Sequence, residues 1–365
     1  MSSNNKKICL IIPSLGPGGM ERVMSLIANY FSTEKRAEIH LILYAKKRNI
    51  FYELDESVSI HRPNFEFNDR FRVYFTLKTL FFLRKKIKEL SPDVVLSFGE
   101  YWNQFVLLSN LGRGDRIYVA DRSQPGLERS FLYYKLTNLL YNRSKGIIVQ
   151  TRKAKSIYHK LYDHQNIIAI GNPIREVEGH DGITDREKII LSVGRLVTTK
   201  HFDLLIRIFK KVNKENWRLI IVGGDSQKQN EMKRLSALIE EKNLEDRVEL
   251  AGMVSNVDEY YRKSSIFAFT SSSEGFPNVI GEAMSAGLPI ISFDCVAGPS
   301  DLIEDGKNGY LVPLFDQKKY VEKLSTLIKN EDLRIRMGDF SQEKIKKFSI
   351  PDIGDEFYRF ITTEL

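Results

Sequence analysis

Two hydrophobic periods alternate along the first half of this chain. Short continuous apolar runs predict buried strands, and apolar residues three or four positions apart predict helices. Residues 21–31 show the helical period, with Val23, Ile27, Tyr30 and Phe31 on one side. The strands predicted in this half are residues 8–12, 39–44, 93–97, 117–120 and 146–149. This alternation is typical of a parallel sheet that helices cover on both faces.

The same alternation restarts in the second half. The strands predicted there are residues 189–193, 218–222, 248–250, 266–270 and 289–293, with helices over 202–213 and 229–242. Residues 171–187 interrupt the pattern with Asn172-Pro173, glycines and charges, which indicates a linker. Residues 351–365 form a separate helical pattern.

These patterns predict an α/β protein with two Rossmann-like, doubly wound domains. We expect the first domain over residues 1–172 and the second over residues 187–345, with the helix of residues 351–365 packing back on the first. Doubly wound sheets bind ligands outside the carboxyl ends of their strands, so the loops at those ends are the candidate site.

The composition agrees with two soluble domains. A chain of 365 residues with 42% hydrophobic residues is long for a single core. No apolar run reaches the roughly 18 residues of a membrane span, and the first residues lack a secretory signal. Cys9 and Cys295 lie in apolar segments, as expected for buried reduced thiols. We therefore expect a cytoplasmic protein.

Charge is distributed unevenly along the chain. The formal net charge is +8, but residues 1–172 carry 27 basic and 15 acidic side chains, a balance of +12, and the remainder carries −4. A basic first half favours an anionic partner, such as a membrane surface, a phosphate-bearing acceptor or nucleic acid. No nucleic-acid-binding module accompanies the charge, so we do not expect nucleic acid as the partner.

The densest group of candidate functional residues follows the strand predicted over residues 266–270. Pro277 suits the first turn of a helix, and backbone amides near Asn278 and Val279 would then be exposed to hold a phosphate. Glu274 and Glu282 flank that position, and carboxylates are good acceptors for sugar hydroxyls. A phosphate position between two hydroxyl acceptors favours a nucleotide sugar, although spaced glutamates alone would be an ordinary solvated pair.

The setting of these glutamates carries a family resemblance. Glu274 and Glu282 have seven residues between them, and they lie in the setting Glu-Gly-Phe-Pro-Asn and, further on, Glu-Ala-Met-Ser-Ala-Gly-Leu-Pro. This pair resembles the paired-glutamate signature of glycosyltransferase family 4. That resemblance implies the GT-B fold, with two Rossmann-like domains facing a central cleft, and transfer with retention of configuration. It also implies that Glu274 contacts hydroxyls of the donor sugar and that Glu282 contacts the ribose of the nucleotide.

A second loop carries cations. In Gly194-Arg195-Leu196-Val197-Thr198-Thr199-Lys200, Arg195 and Lys200 could stabilise the charge that develops on a departing diphosphate. The family has the same Gly-Arg and later Lys, assigned to the donor diphosphate. The alternative is a solvated basic loop. By this resemblance the catalytic candidates are Glu274, Arg195 and Lys200.

Glycine-rich turns supply the remaining donor-binding candidates. The loop over residues 13–22 lacks both the dinucleotide-binding and the P-loop spacing, so an ordinary tight turn is one interpretation. Gly18 and Gly19 in it resemble the family's Gly-Gly loop beside the diphosphate and the acceptor. Met253 and Val254 follow another strand, and the resemblance implies that this loop lines the pocket of the nucleotide base.

One position departs from the family pattern. Many relatives carry a histidine near the sugar, after a strand of the first domain, and residues 119–125 here contain none. Its replacement stays open among Asp121, Arg122, Ser123, Glu100 and Asn103. None of the six histidines has metal-ligand spacing with another, so we expect neither a catalytic metal nor a cofactor.

Two segments of the first half suit an acceptor held at a membrane. Residues 70–88 and 129–143 mix aromatic and basic side chains, as helices on an anionic bilayer surface do. The alternative is a pair of core-packing helices with basic outer faces. With the +12 balance, the hypothesis is a peripheral enzyme on the inner face of the plasma membrane.

The sequence thus predicts a retaining glycosyltransferase of surface-polysaccharide synthesis. It would move a hexose or N-acetylhexosamine from a nucleoside diphosphate sugar, UDP-linked by the resemblance, to a hydroxyl of a lipid-linked glycan acceptor. The first domain would bind the acceptor and the second the donor. Two alternatives remain: a nucleotide-sugar epimerase of the same fold, and a nucleotide-sugar-binding regulator without turnover.

Overall fold

The chain divides into two compact units. The computed structural model describes residues 5–45, 50–127, 129–177, 186–212, 216–225 and 230–363. Unit 1 comprises Met1–Pro173 with Ile350–Leu365, and unit 2 comprises Ile174–Ser349. Of the linker expected over residues 171–187, Ile174 and Val177 are buried in the core of unit 2, and residues 178–185 lie outside the described residues.

Unit 1 contains a seven-stranded parallel sheet with the strand order β3-β2-β1-β4-β5-β6-β7. Its strands are β1 (Lys7–Ile12), β2 (Glu38–Leu43), β3 (Ser59–His61), β4 (Val94–Phe98), β5 (Ile117–Ala120), β6 (Gly146–Val149) and β7 (Ile167–Ala169). The central strand β1 pairs Ile8 with Ile39 of β2 and with Val94 of β4. Its apolar run is fully buried because helices cover both faces of the sheet.

Six α-helices and one 3₁₀ turn lie in the described part of unit 1. They are α1 (Gly19–Thr33), α2 (Arg72–Leu90), α3 (Glu100–Ser109), α4 (Phe131–Tyr141), α5 (Arg152–Leu161) and the C-terminal α13 (Ile350–Thr362), with a 3₁₀ turn at Asp69–Phe71 before α2. Helix α13 returns from unit 2 to pack on α1, where Gly354 lies against the ring of Tyr30 and the rings of Phe31 and Tyr358 meet edge to face. The Tyr30 hydroxyl donates to Asp355 Oδ1 at 2.5 Å.

Unit 2 repeats this architecture with a six-stranded parallel sheet in the order β10-β9-β8-β11-β12-β13. Its strands are β8 (Ile189–Val193), β9 (Arg218–Val222), β10 (Val248–Gly252), β11 (Ile266–Phe269), β12 (Ile290–Asp294) and β13 (Gly309–Pro313). Its helices are α6 (Phe202–Val212), α7 (Glu231–Glu241), α8 (Asp258–Lys263), α9 (Asn278–Ser285), α10 (Pro299–Leu302), α11 (Gln317–Lys329) and α12 (Glu331–Ile345), with 3₁₀ turns at Thr198–Lys200 and Lys346–Phe348.

The fold class predicted from the sequence is confirmed. Each predicted strand is present, with ends that differ by one or two residues. Three further strands, β3, β7 and β13, were not predicted, and all three lie at sheet edges. Edge strands can be short and partly exposed, and the apolar runs of these three have at most a few residues, too short to distinguish a strand by its period.

Each sheet has one point where the chain order reverses. The reversal lies between β1 and β4 in unit 1 and between β8 and β11 in unit 2. Loops at the carboxyl ends of such neighbouring strands frame the crevice where doubly wound proteins bind ligands. None of the helices in the described ranges combines the length and apolarity that crossing a bilayer requires.

Candidate active site

In unit 2, the loops that follow β8 and β11 are tied together by hydrogen bonds. The Ser272 N–H donates to the Thr199 carbonyl at 2.9 Å, and Thr270 Oγ1 donates to the Lys200 carbonyl at 2.8 Å. His201, which has a positive φ of 51°, places Nε2 2.8 Å from Ser272 Oγ. Because β8 and β11 are neighbours, these bonds fix the cation-bearing loop against the loop that carries Glu274.

The contact between these two loops brings two predicted catalytic residues together as an ion pair. Lys200 Nζ lies 2.5 Å from Glu274 Oε1, and the two side chains retain only 17% and 13% of their exposure. The ammonium also lies 5.3 Å from the centre of the Phe269 ring. Partial burial raises the electrostatic strength of such a pair above that of a surface salt bridge.

Arg195 lies in the same loop as Lys200 but differs from it in exposure and in partners. It is exposed, and it makes no hydrogen bond or ion pair with any residue that the structure describes. Among the described residues, Arg195 is therefore an unpaired cation in the loop that also carries Lys200. A guanidinium without a partner suits a phosphate group.

Two glycines allow the neighbouring loops to approach. Gly223 has φ of +151°, and a Cβ atom there would lie 1.8 Å from the carbonyl oxygen of Gly194. The Leu196 N–H donates to the Gly224 carbonyl at 2.9 Å. Gly224 in turn lies under the side chain of Met253, which is 87% exposed.

The second glutamate is held more deeply than the first. Glu282 is 6% exposed and accepts a hydrogen bond of 3.1 Å from the Tyr261 hydroxyl, while Arg175 Nε lies 3.4 Å from its other oxygen. Arg175 also donates to Asp258 Oδ2 at 2.7 Å. Burial, and then the charge of Glu282, raise the pKa of Tyr261 well above its ordinary value, so the phenol stays a donor.

The predicted phosphate-binding residues open helix α9. Asn278 and Val279 are its first two residues and are partly exposed, and Pro277 precedes them as the N-cap. The Asn278 N–H donates to the Phe276 carbonyl at 3.1 Å. Val254, the second predicted base-pocket residue, packs at the margin of the unit 2 core.

In unit 1, the Gly-Gly loop follows β1 and opens helix α1. Gly18 is the N-cap and Gly19 the first helical residue. The Tyr52 hydroxyl accepts from the Gly18 N–H at 3.1 Å and donates to the Gly18 carbonyl at 2.9 Å. A Cβ atom on Gly18 would lie 2.2 Å from the carboxylate of Glu21, so a side chain at this position would require Glu21 to move.

Two of the candidates for the missing histidine bind each other inside unit 1. Asn103 Nδ2 donates to Asp121 Oδ1 at 2.7 Å, and both side chains are buried. Asp121 also accepts hydrogen bonds from the hydroxyls of Tyr141 at 2.9 Å and Tyr158 at 2.6 Å. Burial raises the pKa of Asp121 to about 6, although these hydrogen bonds oppose the rise. Its contacts are therefore internal to the unit.

The remaining candidates lie beside the same strand. The Arg122 guanidinium stacks 4.6 Å from the Phe98 ring and 4.9 Å from the Phe357 ring, and its Nη1 donates to Asn172 Oδ1 at 2.9 Å. Burial lowers the pKa of Arg122 to about 9. Glu100 accepts a hydrogen bond of 2.8 Å from Ser123 Oγ.

The supporting partners were not found from the sequence. Tyr52, Tyr261 and Arg175 contact predicted site residues, and Asp258 holds Arg175. Each of the first three lies at least 21 positions along the chain from the site residue that it contacts. Neither their spacing nor their residue types distinguish them from ordinary surface or core positions, so only the fold reveals them. Within the described residues, no group of three or more His, Cys, Asp or Glu side chains could hold a metal ion.

The two aromatic and basic segments form helices α2 and α4, each with one buried and one exposed apolar face. The buried residues include Leu83 and Ile87 on α2 and Leu140 on α4. The exposed apolar residues are Val73, Tyr74, Leu77 and Phe81 on α2, and Phe131, Leu132, Leu136 and Leu139 on α4. Each helix thus contributes to the core and also leaves large apolar side chains in solvent.

The chain resembles known proteins in its sequence. Residues 174–344 match the family model described as glycosyl transferases group 1. The chain is 29% identical over 340 residues to the amylovoran biosynthesis glycosyltransferase AmsD of Erwinia amylovora, covering 90% of this chain and 92% of that protein.

A second relative comes from Campylobacter jejuni. It is the GalNAc-alpha-(1->4)-GalNAc-alpha-(1->3)-diNAcBac-PP-undecaprenol alpha-1,4-N-acetyl-D-galactosaminyltransferase, 25% identical over 360 residues, which cover 97% of this chain and 98% of that protein.

A solved structure shows the same fold. Anabaena HepE in complex with UDP matches with a TM-score of 0.78 at 16% identity, over 97% of this chain and 98% of that one. The chain is therefore a glycosyltransferase of the GT-B fold; its residues 174–344 match the glycosyl transferases group 1 model, and its relatives include bacterial polysaccharide glycosyltransferases.

Proposed function

We propose that this enzyme transfers a hexose or N-acetylhexosamine from a UDP-linked donor to a hydroxyl of a lipid-linked glycan acceptor, with retention of configuration. The observation that carries the proposal is the partly buried Lys200–Glu274 pair, with Arg195 in the same loop as Lys200 and without a partner among the described residues. The three side chains lie at the strand reversal of unit 2, where a doubly wound sheet binds its ligand.

The two cations would bind the donor diphosphate. An ammonium has three hydrogens to donate, so Lys200 can contact a phosphate oxygen while it remains bonded to Glu274. Arg195 would grip the diphosphate through two parallel hydrogen bonds. Negative charge builds on the diphosphate as the sugar leaves, and fixed cations stabilise that charge without reorganising.

Glu274 would act on the sugar side of the same bond. Its carboxylate, held by Lys200, can accept a hydrogen bond from a sugar hydroxyl and stabilise positive charge that develops on the sugar ring. By the family resemblance, Glu282 would bind the ribose, Met253 and Val254 would line the base pocket, and Asn278 and Val279 would contact phosphate.

The proposed transfer requires no nucleophile from the protein. The bond from the anomeric carbon to the phosphate oxygen breaks, and its electron pair leaves with the nucleoside diphosphate. The acceptor oxygen bonds to the anomeric carbon on the same face, and its proton passes to the leaving phosphate. In this front-face course the protein contributes positioning and charge stabilisation.

Unit 1 would bind the acceptor and the membrane. Gly18 and Gly19 would lie near the acceptor and diphosphate, and Arg122 is the sugar-side candidate with unpartnered buried nitrogens, Nε and Nη2, among the described residues. Asn103 and Asp121 would hold the loop after β5 in place. Undecaprenol in the Campylobacter relative's name and UDP in the HepE complex support the choice of acceptor and donor class.

The surface of unit 1 supports a peripheral position at the bilayer. Exposed aromatic and aliphatic residues on α2 and α4 lie on a half-chain with a +12 balance. Apolar side chains can enter the headgroup region while basic side chains attract anionic lipid. We place the enzyme at the inner face of the plasma membrane on this ground.

Calorimetric titration with UDP, GDP and ADP tests the donor site directly. We expect tight binding of UDP to the wild-type protein and a loss of about tenfold or more in Lys200→Met and in Arg195→Met, since each removes a charge-assisted contact. Lys307→Met is the matched control, because Lys307 forms a surface pair with Glu304. Equal affinity in all four proteins would contradict the assignment.

A further inference from the structure

A pocket of about 590 Å³ lies within unit 1, apart from the residues assigned above. Its wall includes Ser14 from the loop after β1, Tyr44 at the end of β2, and Trp102 and Phe105 from α3, which follows β4. These elements surround the strand reversal of the unit 1 sheet, where a doubly wound fold binds its ligand. Ser14 belongs to the same loop as Gly18.

Four of the ten residues that line this pocket are aromatic. The Tyr44 ring meets the Trp102 ring edge to face at 5.9 Å and stacks on the Phe105 ring at 5.9 Å. Phe67 lines another part of the wall. Trp102 is 42% exposed, so its indole ring is accessible to solvent. Flat aromatic walls suit the face of a pyranose ring, which presents C–H groups.

Polar residues also line this pocket. The Tyr44 hydroxyl is buried and has no hydrogen-bond partner among the described residues. A buried hydroxyl without a partner is costly, so a ligand that supplies one gains affinity. Arg72, exposed at the start of α2, likewise has no partner in the described part of the chain, and Asp69 lines the pocket beside it.

We propose that this pocket is the acceptor subsite and that it binds a pyranose ring of the acceptor glycan. The acceptor role rests on the transfer reaction proposed above. The ring stacks on the aromatic wall, Asp69 accepts from a sugar hydroxyl, and Arg72 and the Tyr44 hydroxyl complete its hydrogen bonds. A hydrocarbon chain would leave the Tyr44 hydroxyl unsatisfied and would desolvate both charges, so a sugar fits better than lipid.

Collisional quenching of tryptophan fluorescence by acrylamide tests the subsite on the wild-type protein. The chain has two tryptophans, and Trp217 is buried in unit 2, so acrylamide reports on Trp102. The probes are the methyl α- and β-glycosides of glucose, galactose, N-acetylglucosamine and N-acetylgalactosamine. We expect at least one to lower the quenching constant about twofold in a saturable manner, since a stacked ring shields the indole.

Variants locate the bound ring. Tyr44→Phe keeps the aromatic wall and loses one hydrogen bond, so the Kd of the protecting glycoside should rise about threefold to tenfold. Asp69→Asn should weaken it as well, and Tyr310→Phe in unit 2 is the matched control. Absence of protection by every glycoside, or protection that neither Tyr44→Phe nor Asp69→Asn weakens, would overturn the subsite.

Nucleoside diphosphate release from sugar donors, measured on the same wild-type preparation, separates this proposal from the transfer reaction. Release without protection overturns the subsite alone. Protection without release from any donor overturns the transfer proposal and with it the acceptor role. Protection by vesicles of anionic lipid but by no glycoside would assign the pocket to lipid and overturn the inference.

Discussion

At the scale of single residues, Glu282 and Glu274 differ in burial and in partners. Glu282 is held by Tyr261 and Arg175 beneath the surface, whereas Glu274 shares its charge with Lys200 at the loop. A ribose lies away from the breaking bond, so a contact to it contributes equally to substrate and transition state. A contact to the transferred sugar can strengthen as charge develops.

The roles proposed for Glu282 and Glu274 predict different effects on KM and kcat. Glu282→Gln should raise the KM for the donor about tenfold and leave kcat within about twofold, because uniform binding is lost. Initial rates over a range of donor concentrations measure both constants, with Glu304→Gln, a change at a surface ion pair, as the control. A fall in kcat at unchanged KM would assign Glu282 to the chemical step instead.

The raised pKa of Asp121 predicts that the stability of the protein depends on pH. Its folded-state pKa of about 6 lies above the ordinary 3.8, so the folded protein holds a proton that the unfolded chain releases between those values. Stability from this group is complete below the lower value and is lost as the pH rises through the upper one. The shift corresponds to about 3 kcal/mol.

Urea unfolding of wild type and Asp121→Asn at several pH values measures this effect. Relative to the variant, wild type should lose about 2 kcal/mol of unfolding free energy between pH 4 and pH 7, since asparagine does not titrate. A difference between the two proteins that stays constant over this range would contradict the raised pKa.

Residue types with their loop context predicted Lys200 and Glu274 as site residues, but not their pairing. Their contact depends on the adjacency of β8 and β11, which are separated in the chain by two other strands. Asp121 shows the opposite case: a polar residue after a strand suggested an open site, and the fold surrounds it with tyrosines from α4 and α5.

At the scale of elements, the approach of the loops after β8 and β9 depends on glycine. Gly223→Ala would place a Cβ atom 1.8 Å from the Gly194 oxygen, at a φ that side chains rarely adopt. Gly306 has a φ of +80° with open space around it, so Gly306→Ala measures the cost of placing a side chain at a positive φ without a steric clash.

We expect Gly306→Ala to cost about 1–2 kcal/mol and Gly223→Ala about 3 kcal/mol or more, because only the latter adds a clash with backbone. Urea unfolding followed by tryptophan fluorescence measures both. Gly223→Ala should also weaken UDP binding, since Arg195 lies in the displaced loop. Equal costs for the two changes would contradict the close approach.

At the scale of the whole molecule, alternating apolar periods predicted the two α/β units because each buried strand has its own apolar run. They did not predict the pocket lined by Tyr44, Trp102 and Phe105, since its wall comes from loops and helices that only the sheet order brings together. The exposed faces of α2 and α4 were half predicted, because the same helices also contribute core residues.

Membrane association is predicted at this scale. Wild type should float with vesicles that contain anionic lipid, and the double change Leu77→Glu and Phe81→Glu should reduce the bound fraction about tenfold, since both residues are exposed on α2. Phe340→Glu on unit 2 is the control. Wild-type protein that stays at the bottom of the gradient would contradict the peripheral position.

The transfer reaction is tested most directly by the release of nucleoside diphosphate from a panel of UDP-, GDP- and ADP-sugars by wild type and by Glu274→Ala. We expect slow release from a UDP-sugar by wild type and its loss in the variant, because in the proposed reaction Glu274 stabilises the sugar as the diphosphate leaves. Binding of a donor without release, even with lipid-linked acceptors present, would contradict it.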